Sequence, residues 1–227
     1  MNTRDAVLAR ITAALSDVPA EERPGLSPVP RDYLHDRPER GDDLVALFTT
    51  HLVEYRATVT HATRGRARDA VAAVLRKRAA RDLVVPAGFP PDLLPFGGPR
   101  LLHDTEPLPT AVLESADAVI TTAAVGIAST GTIVLDTGTG QGRRVLSLLP
   151  DHHVCVLRTD QIVHDVPEAL SRLTPGDPLT FISGPSATSD IELDRVEGVH
   201  GPRILDVVLV PPHADVVPVP PHAKDSA

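Results

Sequence analysis

Residues 154–173, VCVLRTDQIVHDVPEALSRL, place an apolar strand and a helix in succession. The run from Val154 to Arg158 is apolar apart from its last residue, which is typical of a strand buried on both faces. The stretch from Val166 to Leu173 favours a helix, whose first turn tolerates Pro167 because an N–H there has no helical partner. A buried strand followed by a helix is the unit from which parallel sheets are built.

The same alternation extends along the chain in both directions. Further strands are predicted at Ala57–His61, Asp82–Pro86, Asp117–Thr122, Gly131–Asp136, Leu179–Ser183 and Ile204–Val210. Further helices are predicted at residues 4–15, 41–55, 66–80 and 109–115, while residues 86–100 form a loop and residues 143–149 fit either a strand or a helix. The pattern therefore predicts a layered α/β fold with a largely parallel sheet flanked by helices.

Three regions follow from this pattern. Residues 1–40 are an N-terminal helix and a proline-rich arm, residues 41–212 are the α/β domain, and residues 213–227 are an extended tail. The first helix is amphipathic and charged, unlike a signal peptide, and no apolar run is long enough to cross a bilayer. We therefore expect a cytoplasmic protein without a membrane span.

The composition excludes several classes of function. A formal net charge of −8 disfavours a nucleic-acid binder, which needs a basic surface. The lone cysteine, Cys155, cannot supply four thiolates to an iron–sulfur cluster, and its apolar neighbours indicate a buried thiol rather than a nucleophile. Neither lysine, Lys77 or Lys224, stands in a P-loop context, and no GxGxxG follows a strand. We expect no cofactor in this chain.

Two segments rich in glycine and hydroxyl residues are candidate ligand-binding loops. The first, GIASTGT at residues 126–132, offers Thr130, Gly131 and Thr132 beside a strand. The second, SGPSATSD at residues 183–190, follows a strand, and backbone N–H groups with hydroxyls can hold an anion beyond the carboxyl end of such a strand. Its candidates are Gly184, Ser186, Thr188 and Asp190. The alternatives are a tight turn into a core strand and a capped loop, respectively.

A third segment, GVHGP at residues 198–202, offers His200 as the candidate for proton transfer, or else as a structural histidine in a turn. We expect all three segments to meet at one pocket that favours small organic anions. Asp151, His152 and His153 do not predict a metal site, because neighbouring strand residues face opposite sides.

Together these motifs resemble the lactate-utilisation (LUD) domain family. The matching stretches are GIASTGTIVLDTG, RRVLSLLPDHHVCVLRTDQIVHDVPEAL, FISGPSATSDIE and GVHGP, spread over roughly residues 40–212. The resemblance implies a fold similar to the sugar-phosphate isomerase and CoA-transferase group. It also implies that the chain acts with iron–sulfur subunits in oxidising L-lactate to pyruvate, as the C-type subunit. A catalytic role for this chain does not follow, and Ser129 stands where the family commonly has Glu.

Two functions remain open at this point. The first is a non-redox subunit of a lactate-oxidising assembly, whose iron–sulfur clusters lie on partner subunits and which binds a small organic anion. The second is a stand-alone binder or enzyme for a phosphorylated or CoA-linked metabolite. Ser129 disfavours glutamyl-thioester chemistry at that position, because a hydroxyl is a poor substitute for a carboxylate.

Overall fold

The computed structural model of the protein describes residues 3–19, 43–63, 65–188, 196–197 and 201–212, with only the backbone of residues 187–188 and 196–197. The chain divides into two compact units, residues 1–34 and 35–227. The described part of the first unit contains the predicted N-terminal helix, α1 (Thr3–Ala14). Most of the predicted arm and all of the predicted tail lie outside the described residues.

The second unit contains four described α-helices. They are α2 (Leu44–Glu54), α3 (Ala67–Lys77), α4 (Thr110–Ser115) and α5 (Val166–Arg172). Asp43 caps α2 by accepting hydrogen bonds from the backbone N–H groups of Val45 and Ala46, and Asp165 caps α5 in the same way through Glu168 N–H. Residues 143–149 prove to be neither strand nor α-helix, because Arg144–Ser147 forms a 3₁₀ turn.

Twelve strands are described. They are β1 (Thr58–His61), β2 (Asp82–Pro86), β3 (Arg100–Asp104), β4 (Ala118–Thr122), β5 (Val125–Ile127), β6 (Thr132–Leu135), β7 (His152–Arg158), β8 (Ile162–Val163), β9 (Thr180–Ile182), β10 (Ala187–Thr188), β11 (Val196–Glu197) and β12 (Ile204–Val210).

Six of these strands form one parallel sheet in the order β1-β12-β7-β4-β2-β3. The prediction of a largely parallel sheet flanked by helices is thereby confirmed. From β2 the chain steps outward to β3 and then returns past β2 to β4, so the strand order reverses between β2 and β4. The last strand, β12, lies between β1 and β7, with Asp206 aligned to Thr58 and to Val154.

A second sheet was not predicted. It has the order β8-β5-β6-β9, with antiparallel pairing of β5 with β6 and of β6 with β9. A short antiparallel pair, β10 and β11, follows β9 along the chain.

The two faces of the parallel sheet carry different layers. On one face, α3 packs Val71, Val74 and Leu75 against alternate residues of the central strands, including Val154 and Val208. On the other face, Phe48 and Leu52 of α2 pack with residues of the second sheet against Cys155, Leu157, Val207 and Leu209. Each face therefore has its own apolar core, which explains why β7 and β12 are apolar on both sides.

Candidate anion-binding cavity

The turn between β5 and β6 is built for contact with α2. Residues Ala128–Thr130 form a 3₁₀ turn that ends at Gly131, whose φ is 57°. A Cβ atom added at Gly131 would lie 2.8 Å from the backbone carbon of His51 in α2. The ring Nδ1 of His51 also lies 2.8 Å from the carbonyl oxygen of Ala128. The close approach predicted for this glycine is therefore explained by a helix of the same chain.

Gly184 has the same role in the second segment. Its φ is 89°, and a Cβ atom there would lie 2.6 Å from the carbonyl oxygen of Tyr55, the residue that ends α2. The two candidate glycines therefore bring both segments against the carboxyl-terminal end of one helix.

Three hydroxyl groups connect the first segment to the second. The Oγ1 atoms of Thr130 and Thr132 are 2.7 Å apart, and Thr132 Oγ1 lies 2.7 Å from Ser183 Oγ. Each hydroxyl can donate one hydrogen bond and accept others, so the three groups form a chain that can be oriented from either end. Ser183, at one end of this hydroxyl chain, lines a cavity.

This cavity, which we call the serine cavity, has a volume of about 330 Å³. Its polar lining residues are Arg144, Ser147, His153, Thr180, Ser183 and Ser186, and its apolar ones include Leu148, Ile182 and Leu205. His153 and Leu205 are the second residues of β7 and β12. The cavity therefore lies beside the amino ends of these parallel strands, at the opposite end from the one expected for an α/β ligand site.

The second and third candidate segments meet at the serine cavity. The backbone N–H of Ser186 donates a hydrogen bond of 2.8 Å to the carbonyl oxygen of Pro202, and Gly184, Ser186, Gly201 and Pro202 all line the cavity. Thr132 reaches this cavity through Ser183, and Thr130 lies one hydroxyl further away. The described parts of the second and third segments therefore line the cavity, whereas Thr130, Gly131 and Thr132 of the first segment do not line it.

Three of the candidate side chains lie outside the part of the chain that the structure describes. Asp190 and His200 are outside the described residues. Thr188 pairs with Val196 through the backbone of β10 and β11, and its side chain is outside the described part.

Charge around the serine cavity favours an anion. The exposed guanidinium of Arg144 lines the cavity and has no hydrogen-bond or ion-pair partner within the described residues. No carboxylate stands among the described residues that line it. In a chain of net charge −8, such a cationic and carboxylate-free lining is a local exception.

His153 contributes a neutral ring to the lining of the cavity. Burial, together with the nearby charge of His152, lowers the pKa of His153 to about 3. Its Nε2 lies 2.8 Å from the hydroxyl of Thr121, which is itself buried. At neutral pH the imidazole can therefore exchange hydrogen bonds with a ligand but adds no charge.

The remaining polar groups show no metal-binding arrangement. His152 and His153 point to opposite faces of the sheet, and His152 contacts Asp206 instead. Within the described ranges no three His, Cys, Asp or Glu side chains form a group that could hold a metal ion. Burial raises the pKa of the Cys155 thiol to about 12, which fits the expected buried cysteine rather than a nucleophile.

None of the described helices combines the length and apolar character that crossing a bilayer requires.

Arg144 and His153 were missed as candidates from the sequence. Both lie inside the RRVLSLLPDHH stretch, residues 143–153, whose local pattern predicts neither an anion site nor a metal site. An arginine pair directly after a glycine-rich turn, in an acidic chain, was the available signal.

Comparison with known proteins agrees with the resemblance of the motifs. The LUD domain family model matches residues 110–210. "Lactate utilization protein C" of Deinococcus radiodurans is 43% identical over 213 residues, which is 92% of this chain and 97% of that protein. A protein of the same name from Halalkalibacterium halodurans is 40% identical over 97 residues, 39% of this chain and 42% of its own length. The crystal structure of a DUF162 family protein from Deinococcus radiodurans superposes with a TM-score of 0.66 at 41% identity, covering 76% of this chain and 99% of that one.

Proposed function

The chain belongs to the LUD domain family, and on that premise we propose that it is the C-type, non-redox subunit of a lactate-utilisation system. In this role it binds a small organic anion of the lactate and pyruvate class in the serine cavity. The observation that carries the binding proposal is the guanidinium of Arg144, which has no partner among the described residues, beside a cavity whose described lining holds no carboxylate.

The lining matches the three kinds of group on lactate. A guanidinium offers a planar pair of N–H donors that fits a carboxylate. Hydroxyls and the neutral His153 ring can exchange hydrogen bonds with the 2-hydroxyl or 2-oxo oxygen. Leu148, Ile182 and Leu205 supply apolar contacts for the methyl group. A volume of about 330 Å³ lies within the range of small-molecule sites.

An anion at Ser183 would set the direction of the hydroxyl chain. To donate to the ligand, Ser183 must accept its hydrogen bond from Thr132, which in turn accepts from Thr130. Hydrogen bonds aligned in one direction polarise one another, so the two threonines strengthen a contact that they do not make. This gives Thr130 and Thr132 a positioning role in anion binding.

The redox step of lactate oxidation belongs to partner subunits in this proposal. The single cysteine of the chain is buried, so the chain cannot supply the thiolates of an iron–sulfur cluster. Electrons from lactate therefore pass to iron–sulfur subunits with which this chain assembles.

Calorimetric titration of L-lactate and pyruvate into the purified protein tests the cavity. We expect Arg144→Gln to weaken binding about tenfold or more, because a charge-assisted pair of hydrogen bonds is lost. Ser183→Ala should weaken it by a smaller factor. The matched control is Arg76→Gln on α3, at the other face of the sheet, which removes an exposed arginine that also lacks a partner among the residues described. Equal affinities of Arg144→Gln and Arg76→Gln, or no binding by the wild type at millimolar concentration, contradict the proposal.

The assembly is tested by co-expression with the cysteine-rich iron–sulfur subunits of a lactate-utilisation system. A tag on this chain should retain those subunits, and lactate-dependent dye reduction should require all of them together. Dye reduction that is unchanged when this chain is omitted contradicts a subunit role. Full dye reduction by this chain alone contradicts the non-redox part of the proposal.

A further inference from the structure

A second cavity, of about 890 Å³, opens at the carboxyl ends of β2 and β3. Ala87 directly follows β2, and Asp104 is the last residue of β3. We call it the threonine cavity, and the lining residues that matter are Thr105, Thr137, Thr139, Asp104, Arg143 and Arg144.

The cavity lies beside the reversal of strand order. The turn 136–140 connects the ends of β2 and β4, because Gly140 N–H donates to Ala87 O at 3.2 Å and Thr122 N–H donates to Gly140 O at 2.9 Å. Open α/β sheets bind their ligands beyond the carboxyl ends of the strands, where the strand order reverses. The serine cavity does not occupy this position, whereas the threonine cavity adjoins it.

The net charge of the described lining is positive. Arg143 donates two hydrogen bonds to Asp104, at 3.0 and 2.8 Å, so this cation and this carboxylate neutralise each other. Arg144 is left as a cation without a partner in the described part of the chain, and it lines the threonine cavity as well as the serine cavity.

The threonines add donors and one strained backbone position. The hydroxyls of Thr105 and Thr139 make no hydrogen bond within the described residues, so both can donate to a ligand. Thr137 has a φ of 62°, which is a rare conformation for a β-branched residue. Strained positions of this kind cluster at ligand-binding loops, where the surrounding structure holds them.

We propose that the threonine cavity is a second anion site, for a phosphate-bearing ligand, and that it competes with the serine cavity for Arg144. A phosphate group takes donors from several directions, and here they come from separate loops that carry Arg144, Thr105 and Thr139. The larger volume admits more than a three-carbon acid.

Competition follows from the shared guanidinium. Either the side chain turns to one anion and leaves the other, or it contacts both and holds two negative charges close together. Both arrangements make each anion bind more weakly in the presence of the other, and the effect is reciprocal. The antagonism rests on the proposed function, whereas the second site itself does not.

Pyrophosphate is the probe, and calorimetry and a thermal shift are the readouts. Wild type and the Arg76→Gln control should bind it equally. Arg144→Gln should weaken pyrophosphate about tenfold. The double variant Thr105→Val, Thr139→Val should weaken it about threefold or more and leave L-lactate affinity unchanged, whereas Ser183→Ala should weaken lactate only. Valine keeps the methyl group of Thr139 that faces Gly88, so we expect the variant to fold, which the thermal shift checks.

Each outcome decides a separate part of the proposal. Pyrophosphate that does not bind at about 10 mM, or that binds the double variant as well as the wild type, overturns the second site. A lactate affinity that does not fall when pyrophosphate is present overturns the antagonism. Pyrophosphate binding without any lactate binding supports the second site while it contradicts the proposed function and the antagonism.

Discussion

Adjacent histidines on the two faces of β7 have opposite surroundings. On the α3 face, His152 Nε2 lies 2.8 Å from Asp206 Oδ2, and Arg78 Nε lies 3.2 Å from the same oxygen. On the other face, His153 Nε2 lies 2.8 Å from the uncharged hydroxyl of Thr121. The α3 face therefore holds a buried carboxylate with two partners, whereas the His153 ring on the cavity face contacts an uncharged hydroxyl.

The arginines show the same difference. Arg78 forms an ion pair with Asp206, whereas Arg144 beside the serine cavity has no partner in the described part of the chain. Burial alone raises the pKa of Asp206, but the hydrogen bond and charge of His152, with those of Arg78, outweigh it and lower that pKa. Asp206 with its two partners thus serves stability, while the guanidinium of Arg144, without a partner among the described residues, is available to a ligand.

The largest effect is expected at Asp206. Asp206→Asn should reduce the free energy of unfolding by about 3 kcal/mol, because it leaves His152 and Arg78 without their shared carboxylate. Urea unfolding at pH 7 measures this. The control is Asp160→Asn, which breaks an exposed pair with Arg158 and should cost no more than about 1 kcal/mol. Similar losses in both variants would show that the buried carboxylate of Asp206 contributes no more to stability than an exposed ion pair.

Gly131 should be next in size. Gly131→Ala combines a left-handed backbone with a Cβ atom 2.8 Å from the backbone of His51, and should cost about 2–3 kcal/mol. Gly97→Ala is the control, because Gly97 has a φ of 71° but open space around its Cβ position, and it should cost about 1 kcal/mol. If both variants unfold at the same urea concentration, the contact with α2 does not hold this turn.

The two histidine environments also predict a pH dependence. In the unfolded chain His153 has a pKa of about 6.5, and in the folded protein its pKa is about 3. The unfolded state therefore binds the extra proton between these values, and folding stability falls as the pH falls from 6.5 toward 3. Between pH 6.5 and 5 the loss from His153 should be about 1.5 kcal/mol.

The matched measurement uses two glutamine variants. His153→Gln should remove this part of the pH dependence, whereas His103→Gln, at an exposed position, should keep it. Only the slope against pH is compared, so a constant loss of stability in His153→Gln does not matter. An unchanged slope in His153→Gln would mean that the cavity face does not keep this ring neutral.

The smallest effect on stability is expected at Arg144. Because its guanidinium has no partner in the described chain, Arg144→Gln should change the free energy of unfolding by less than about 0.5 kcal/mol. The same variant should lose most of its affinity for lactate. Arg144→Gln should therefore affect ligand binding strongly and the free energy of unfolding hardly at all. A loss of stability comparable to that of Asp206→Asn would place Arg144 among the structural charges.

The parallel sheet was largely predictable from the sequence. The predicted strands at residues 204–210 and 82–86 have the bounds of β12 and β2. Such runs are visible in the sequence because they are buried on both faces and contain few polar residues. Within the parallel sheet β3 was missed, and outside it β5, β8, β10 and β11 were missed. β3 is an edge strand after a proline-rich loop, in which Asp104 alone is buried, and β5 has only three residues before its turn.

The candidate site was predictable only in part. Gly184, Ser186 and the GVHGP segment were singled out, because small and hydroxyl residues in loops are visible locally. The importance of Arg144 depends on which carboxylates reach it in three dimensions. Arg143, its neighbour in sequence, is paired with Asp104, which lies 39 residues away, and no local pattern separates these two arginines.

The central place of β12 also has a consequence for the order of events during synthesis. The final strand of the parallel sheet, Ile204–Val210, lies between β1 and β7, which precede it along the chain. While translation has not yet reached it, β1 has no neighbour in the sheet and β7 exposes an unpaired edge. The nascent polypeptide therefore remains a client for chaperones until almost the whole domain has left the ribosome, and early termination before residue 204 should yield aggregates rather than a smaller folded protein.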